Sequence, residues 1–391
     1  MAQFPVGRTR PFVCKNIGDY VQTVASMQFS EPKYDEVIEQ EEADFYKSDD
    51  GRKCRLIMNG WFQWRAENWP PSEDIIPMLV SMHFSPLRQE QLLTPKGIEF
   101  LKKNAPVGCR DHYTEQLFLS RGIPAYFSAC VTLTLGKKYK VQDAERKGIY
   151  FVDPFIDIPA LYEEVDGKQV LNVEAFNEFW EVYTNHRDVI EDLASRTFFK
   201  EYLPTGFLDR DESIYRPYYK AACFYKIYSQ KFSDELILQA EYITHWLDID
   251  MAKQDTYDMI DIAEGLVKKY AKAEMVITSR IHAGLPCLGM GTPVVFVANE
   301  EVTSATGTFN TPGRLGGLIE FFRLLKLEAG VFSTTDAVFG TIDKFGVDTK
   351  FVNMETWKPY ADRLNMQLSQ FMSDDFDLDK LEEIRNIPPT K

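Results

Sequence analysis

Thiol chemistry has little to work with in this chain. Its six cysteines (Cys14, Cys54, Cys109, Cys130, Cys223, Cys287) are scattered over 391 residues with no CxxC spacing. That pattern supports neither a thiolate metal site nor a disulfide framework, and it reads as reduced core thiols. Long apolar runs are also missing. No stretch approaches the ~20 residues that span a bilayer. The opening MAQFPVGRTRPFVCK has no apolar core of signal-peptide length. The expected location is therefore the cytoplasm, with at most peripheral contact at the inner face of the membrane. Positive charge is scarce, with 44 Lys and Arg against 59 Asp and Glu and a net charge of -15. This argues against nucleic acid as the main partner and against electrostatic docking to anionic lipid. No Walker sequence, GxGxxG, HExxH, GxSxG or strand-flanked DxD occurs, so a P-loop enzyme, metalloprotease or serine hydrolase has no support. No repeat or low-complexity tract stands out.

What is present is the balance of a globular protein, 45% hydrophobic and 26% charged. Apolar runs alternate with helical patterns. Strands are expected at Phe12–Cys14, Leu56–Met58, Met78–Met82, Val107–Cys109 and Tyr126–Cys130. Helices are expected at Tyr20–Met27, Thr94–Lys103 and Thr114–Ser120. A polar stretch, Gly136–Lys147, reads as a linker. Strands then follow at Gly148–Val152, Met275–Ile277 and Pro293–Val297. Helical patterns cover Val173–Lys200, Asp234–Leu247, Thr256–Lys272 and Ala283–Met290, the last closed by Gly291. Alternation of this kind predicts an α/β protein with mainly parallel sheets and two Rossmann-like halves. The expected domains are 1–147, 148–345 and a helical tail, 346–391, placed to pack back on the first.

Glu274–Pro286 carries the most chemistry. A buried strand ends in Thr278-Ser279, then Arg280 and His282 enter a helix. Ligands of open α/β sheets bind at strand carboxyl ends, and anions favour helix N-termini. Arg280 and Ser279 can grip an anion, and His282 can move a proton. The bland alternative is a surface ion pair and a capping histidine. A helix start also disfavours imidazolium, so His282 needs a bound anion or a carboxylate to hold its proton.

Arg110-Asp111 mirrors this arrangement after another buried strand. It reads either as a second anion contact or as a local ion pair. Asn16-Ile17-Gly18-Asp19 opens a helix and could present backbone N–H groups, or be an ordinary turn. Asn59-Gly60-Trp61, with Phe62, Trp64 and Trp69 nearby, has the polar-aromatic character of a sugar site or of a packed loop. His83 sits at a strand end as a second acid/base, an acceptor ligand or a satisfied histidine. Arg314, in the glycine-rich segment 311–317, is a further basic candidate. His245 reads as a packing histidine on an amphipathic helix. His112 and His186 read as exposed.

These residues resemble the polysaccharide pyruvyl transferase family. VITSRIHAGLPCLGMGTPVVFV (Val276–Val297) carries the strongest likeness. AEGLVKKYAKAE before it, NIGDYVQ (Asn16–Gln22) and GCRDHYTEQLFLSRGIPAYFSACVTLTL (Gly108–Leu135) add to it. The resemblance implies a GT-B-like pair of Rossmann-like domains facing across a cleft. It implies transfer of the enolpyruvyl unit of phosphoenolpyruvate onto two hydroxyls of a sugar, with the acceptor on a lipid-linked intermediate. No cofactor is implied beyond the donor substrate, and no metal. It further implies His282 as acid/base, with Arg280, Ser279, Arg110 and Arg314 toward the donor. Asn16, Gly18, Asp19, Asn59, Trp61 and His83 are left as acceptor-side candidates. Two rivals stand beside it: a nucleotide-sugar glycosyltransferase of the same fold, and a catalytically silent two-lobed binding protein.

Overall fold

The computed structural model of the protein describes residues 15–30, 38, 40–60, 65–201, 216–247, 256–299 and 315–388. The expected strand at 12–14, the aromatics Trp61, Phe62 and Trp64, and Arg314 lie outside them.

Two parallel-stranded sheets organise the chain. The first holds β1 (Cys54–Gly60), β2 (Ile75–Met82), β3 (Val107–Cys109) and β4 (Ala125–Phe127), in that spatial order. The second uses β5 (Ile149–Val152), β8 (Glu241–Ile243), β9 (Met275–Thr278), β10 (Val294–Asn299), β11 (Leu324–Glu328) and β12 (Val331–Ser333). Its order is β12-β11-β10-β9-β5-β8, with β12 the antiparallel edge. A separate hairpin pairs β6 (Tyr162–Val165) with β7 (Lys168–Leu171). The α/β class read from the sequence is what the chain adopts. The reason is visible in β9 and β10, buried at every position, because helices cover both faces of a parallel sheet.

One hydrophobic core runs between the sheets. It joins Met78 and Val80 of β2 to Val276 and Phe296 of the second sheet, through Val21, Leu133 and Leu364. The helix Ile281–Met290 is buried along almost its whole length and approaches the 3-10 turn Val131–Leu135 closely. A Cβ on Gly289 would lie 2.3 Å from the Leu133 carbonyl oxygen, so only glycine fits there. An aromatic core built on Phe151, Phe224, Tyr228 and Phe232 fills the other face of the second sheet. The helix Lys358–Met372 lies on β1 and β2. Arg55 Nη1 donates to the Phe371 and Ser373 carbonyls at 2.8 and 2.7 Å, which satisfies the end of that helix.

Several expectations need correction. Asp234–Leu247 is not one helix. Ser233 caps a helix that ends at Gln239, and the chain then becomes β8 on the edge of β5. Tertiary pairing overrides the helical pattern there, because Tyr242 stacks on Phe151 with centroids 5.2 Å apart. Val173–Lys200 breaks into helices Val173–Asn185, Arg187–Ser195 and Thr197–Glu201. Gly136–Lys147 is no plain linker. It contains the helical turn Gly136–Tyr139, and its Arg146 is buried, donating to the Ala271 and Met290 carbonyls and to Thr292.

Candidate active site

The second sheet supplies a topological reason for a site. Counted within that half, the chain runs β5, β8, β9, β10, β11. In space β8 flanks β5 on one side and β9 on the other. Connections therefore diverge between β5 and β9, and the crevice outside their carboxyl ends is where such sheets bind ligands.

Asp153 and the Thr278–His282 segment meet in that crevice. Asp153 follows β5 at φ +40°, a conformation disfavoured for any residue with a Cβ, and is 3% exposed. Its Oδ2 accepts from Arg280 Nε at 3.0 Å and from the His245 backbone N–H at 3.0 Å. Its Oδ1 is buried with no hydrogen-bond partner among the described residues. Thr278 Oγ1 donates to the Val152 carbonyl and accepts from the Arg280 N–H, at 2.8 and 2.9 Å. Ser279 Oγ accepts from the Phe155 N–H at 3.1 Å. Hydroxyls and one carboxylate thus staple the ends of β5 and β9 together and fix the base of Arg280.

His282 is buried at the first turn of the helix Ile281–Met290. Pro286 sits one turn later and has no N–H to give the His282 carbonyl. The start of the helix Ile17–Met27 abuts the imidazole. A Cβ on Gly18 would fall 3.1 Å from His282 Nδ1, so glycine is what allows the approach. Asn16 caps that helix by accepting from the Gly18 N–H, and Asp19 lies in its first turn. Asn16 also bridges to Trp246, while the Ile17 N–H donates to the His245 carbonyl at 2.8 Å. The structure therefore gathers Asn16, Gly18, Ser279, Arg280 and His282. His245 lies beside them, not on a helix as the sequence pattern suggested. Its Nε2 is 2.8 Å from the Tyr270 hydroxyl, and burial pushes the ring's pKa down to about 4.

The carboxyl edge of the first sheet forms a second group. His83 follows β2, and its Nδ1 lies 2.6 Å from Asp111 Oδ2, both side chains being buried. Asp111 caps the helix His112–Ser120 by accepting from the Thr114 N–H at 2.8 Å. Burial pushes the Asp111 carboxyl up. The His83 charge and hydrogen bond, the Arg110 charge and the Thr114 N–H outweigh it, and the net direction is down. Arg110 is 2% exposed, and its Nε has no hydrogen-bond partner among the described residues. A buried guanidinium with open donors is arranged for an anion. Asn59 spends its amide on Ser26, 2.6 Å away, and ties β1 to the helix Ile17–Met27.

The two groups are physically linked. Arg110 acts electrostatically on Cys130, which heads the turn packed against the His282 helix. The His112 N–H donates to the Gly316 carbonyl at 3.2 Å, so the chain beyond β10 returns to the helix after Arg110. Sequence reasoning missed Asp153, whose signal was an Asp-Pro directly after an apolar run. It also missed the pairing of His83 with Asp111. Among the described residues, no group of His, Cys, Asp and Glu is placed to hold a metal ion, and no helix is long and apolar enough to cross a membrane.

A family model described as polysaccharide pyruvyl transferase matches residues 16–301, from the cap of the first helix to just beyond β10. Arg314 lies past the matched segment. No curated protein and no solved structure matches the chain.

Proposed function

The chain belongs to the polysaccharide pyruvyl transferase family, and from that premise we propose that it transfers the enolpyruvyl unit of phosphoenolpyruvate onto two hydroxyls of one sugar. The product is a pyruvate ketal on a surface-polysaccharide intermediate, with inorganic phosphate released. The sugar is carried on a lipid, and the reaction takes place on the cytoplasmic side of the membrane. The half built on the second sheet holds the donor, and the half built on the first sheet faces the acceptor.

The observation that carries this reading is the meeting of Arg280 and His282 at the β5/β9 switch point, with the open guanidinium of Arg110 on the neighbouring sheet edge. The donor carries a phosphate and a carboxylate, and two arginines suit two anionic ends. Asp153 holds Arg280 by Nε, which fixes the plane of the guanidinium before the donor arrives. His282 then protonates the donor's methylene carbon. Positive charge develops at the adjacent carbon, where a sugar hydroxyl attacks, and a second hydroxyl later displaces phosphate. The helix start that opposes imidazolium is offset once a phosphate dianion is bound beside it.

A binding measurement separates this reading from its rival. The protein is titrated with phosphoenolpyruvate and, in parallel, with nucleotide sugars, while its thermal midpoint is followed. Millimolar phosphoenolpyruvate should raise the midpoint, because a ligand that binds only the folded state stabilises it. Stabilisation by a nucleotide sugar alone would assign the cleft to a glycosyltransferase. No response to either ligand would leave a binding protein.

A further inference from the structure

The ketal reaction moves more protons than one histidine is placed to handle. We propose that His83 and Asp111 form a second proton-transfer centre, in which His83 takes the proton of the acceptor hydroxyl that attacks the donor's central carbon. This rests on the pyruvyl-transfer reading and deepens it.

The geometry is that of a carboxylate-oriented imidazole. His83 Nδ1 lies 2.6 Å from Asp111 Oδ2, so that nitrogen is committed to the carboxylate. Proton exchange with any other molecule must run through Nε2. The carboxylate is itself fixed, because its other oxygen accepts the Thr114 N–H at 2.8 Å, at the start of the helix His112–Ser120. A side chain held at both oxygens orients its partner with little freedom. The strand end that carries His83 is shaped as well. Ser81 sits at φ +54°, and its N–H donates to Ser128 Oγ at 3.0 Å. Ala129 sits at φ +60°, two residues beyond β4 of the same sheet. Such backbone outliers persist where the surrounding structure holds them, and they gather at working sites. Ser81, Ala129 and Asp153 all fall just at or beyond strand carboxyl ends, whereas the other two non-glycine outliers among the described residues, Asp166 and Ala329, sit in hairpin turns. The charged neighbour that matters is Arg110, next in chain to Asp111. A guanidinium that binds the donor's anion there would place the donor beside the His83 ring.

The bonds balance. The acceptor O–H bond breaks, its proton passes to His83 Nε2, and its oxygen bonds to the donor's C2. The electron pair of the C2–C3 double bond takes a proton from His282 at C3. The C2–O bond to phosphate then breaks with its pair on phosphate, and the second hydroxyl oxygen bonds to C2. Two hydroxyl protons are released in all. One replaces the proton given to C3 and the other leaves on phosphate, so no oxidant, reductant or co-reactant is needed.

The test compares full-length wild type with His83→Gly and Asp111→Asn. Phosphoenolpyruvate affinity is read by calorimetry, and ketal formation by mass spectrometry. In His83→Gly turnover should fall by about 10²–10⁴-fold with donor affinity retained. Added imidazole should restore turnover in proportion to its free base. In Asp111→Asn the Thr114 cap survives, but the new amide faces Nδ1 as a donor. That forces the hydrogen onto Nε2, so turnover should fall without loss of folding. Undiminished turnover in either folded variant overturns the proposal. So does a loss in His83→Gly that imidazole does not relieve, which would make the pair structural. If His83→Gly does not fold, the Asp111→Asn result decides alone. A wild-type protein that forms no ketal overturns the pyruvyl-transfer reading and this proposal with it. Normal wild-type turnover with unaffected variants overturns this proposal only.

Discussion

His83 and His245 are equally buried, each about 1% exposed, and each lies just beyond the carboxyl end of a parallel strand, one in each sheet. Their partners differ. His83 faces the Asp111 carboxylate, and His245 faces the Tyr270 hydroxyl. Burial alone disfavours charge on either ring. At His245 nothing offsets it enough, and the ring is held neutral, its pKa lowered to about 4 by burial despite the Asp153 charge and with the help of Arg280. At His83 the partner is an ionised carboxylate whose own pKa is driven below its ordinary value. The same residue type at the same depth thus packs against a neutral hydroxyl in one sheet and is oriented by a carboxylate in the other. The partner, not the burial, decides which one is equipped for proton transfer.

His282 is the third histidine in this comparison, 6% exposed and set against the Gly18 backbone. His282→Ala should cause the largest effect, a fall in kcat of about 10²–10⁴-fold with donor affinity little changed. An assay of phosphate release reads it, and a variant as active as wild type would remove His282 from the chemistry.

Acid titration sharpens the contrast between the buried pair of histidines. His245 has a folded-state pKa below its ordinary value, so the folded protein binds fewer protons there than the unfolded chain. Its contribution to stability is complete above about pH 6.5 and is lost as pH falls toward 4. The shift corresponds to about 3 kcal/mol. His245→Gln keeps an acceptor for Tyr270 and should flatten that loss, measured as denaturant midpoints from about pH 7 down to about pH 2. Asp111, lowered as a carboxyl, contributes stability above its ordinary value that is lost only as pH falls through its folded-state pKa. The two losses should therefore appear in separate windows. Flattening of one and the same pH window in His245→Gln and in Asp111→Asn would break the distinction.

Arg110→Ala removes the buried guanidinium. It should lower kcat/KM for phosphoenolpyruvate by about 10–100-fold, the worth of one or two charge-assisted hydrogen bonds. The smallest effect should come from Asp153→Asn, which weakens the hold on Arg280 Nε without emptying the crevice. About a tenfold rise in the apparent donor KM is expected. An unchanged KM would mean that Arg280 is oriented by other contacts.

Much of this was legible in the sequence, unevenly and for physical reasons. The strand before Arg280 and the helix after it were readable because β9 and β10 are continuous apolar runs bounded by small residues and Gly291. The Thr94 cap with Pro95 inside the first turn was equally plain, and the structure shows Thr94 accepting from the Gly97 N–H. Asp153 was not readable as a site residue, because nothing local says that β5 lies beside β9. That adjacency comes from strand order, a property of the folded sheet. For the same reason the sequence pattern puts His245 on a helix. The strand just before it, β8, exists only because β5 offers an edge and Phe151 a ring to stack on. The pairing of His83 with Asp111 joins residues 28 apart through neighbouring strands, and no spacing rule encodes it.

The central claim is that Arg280, His282 and Arg110 serve one pyruvyl transfer. It is tested most directly by incubating the purified protein with phosphoenolpyruvate and a panel of lipid-linked sugars, following phosphate and acceptor mass together. The account predicts one phosphate released for each acceptor that gains a single pyruvate ketal, with both signals lost in His282→Ala. Phosphate release with no acceptor gain, or acceptor modification that persists in His282→Ala, would contradict it.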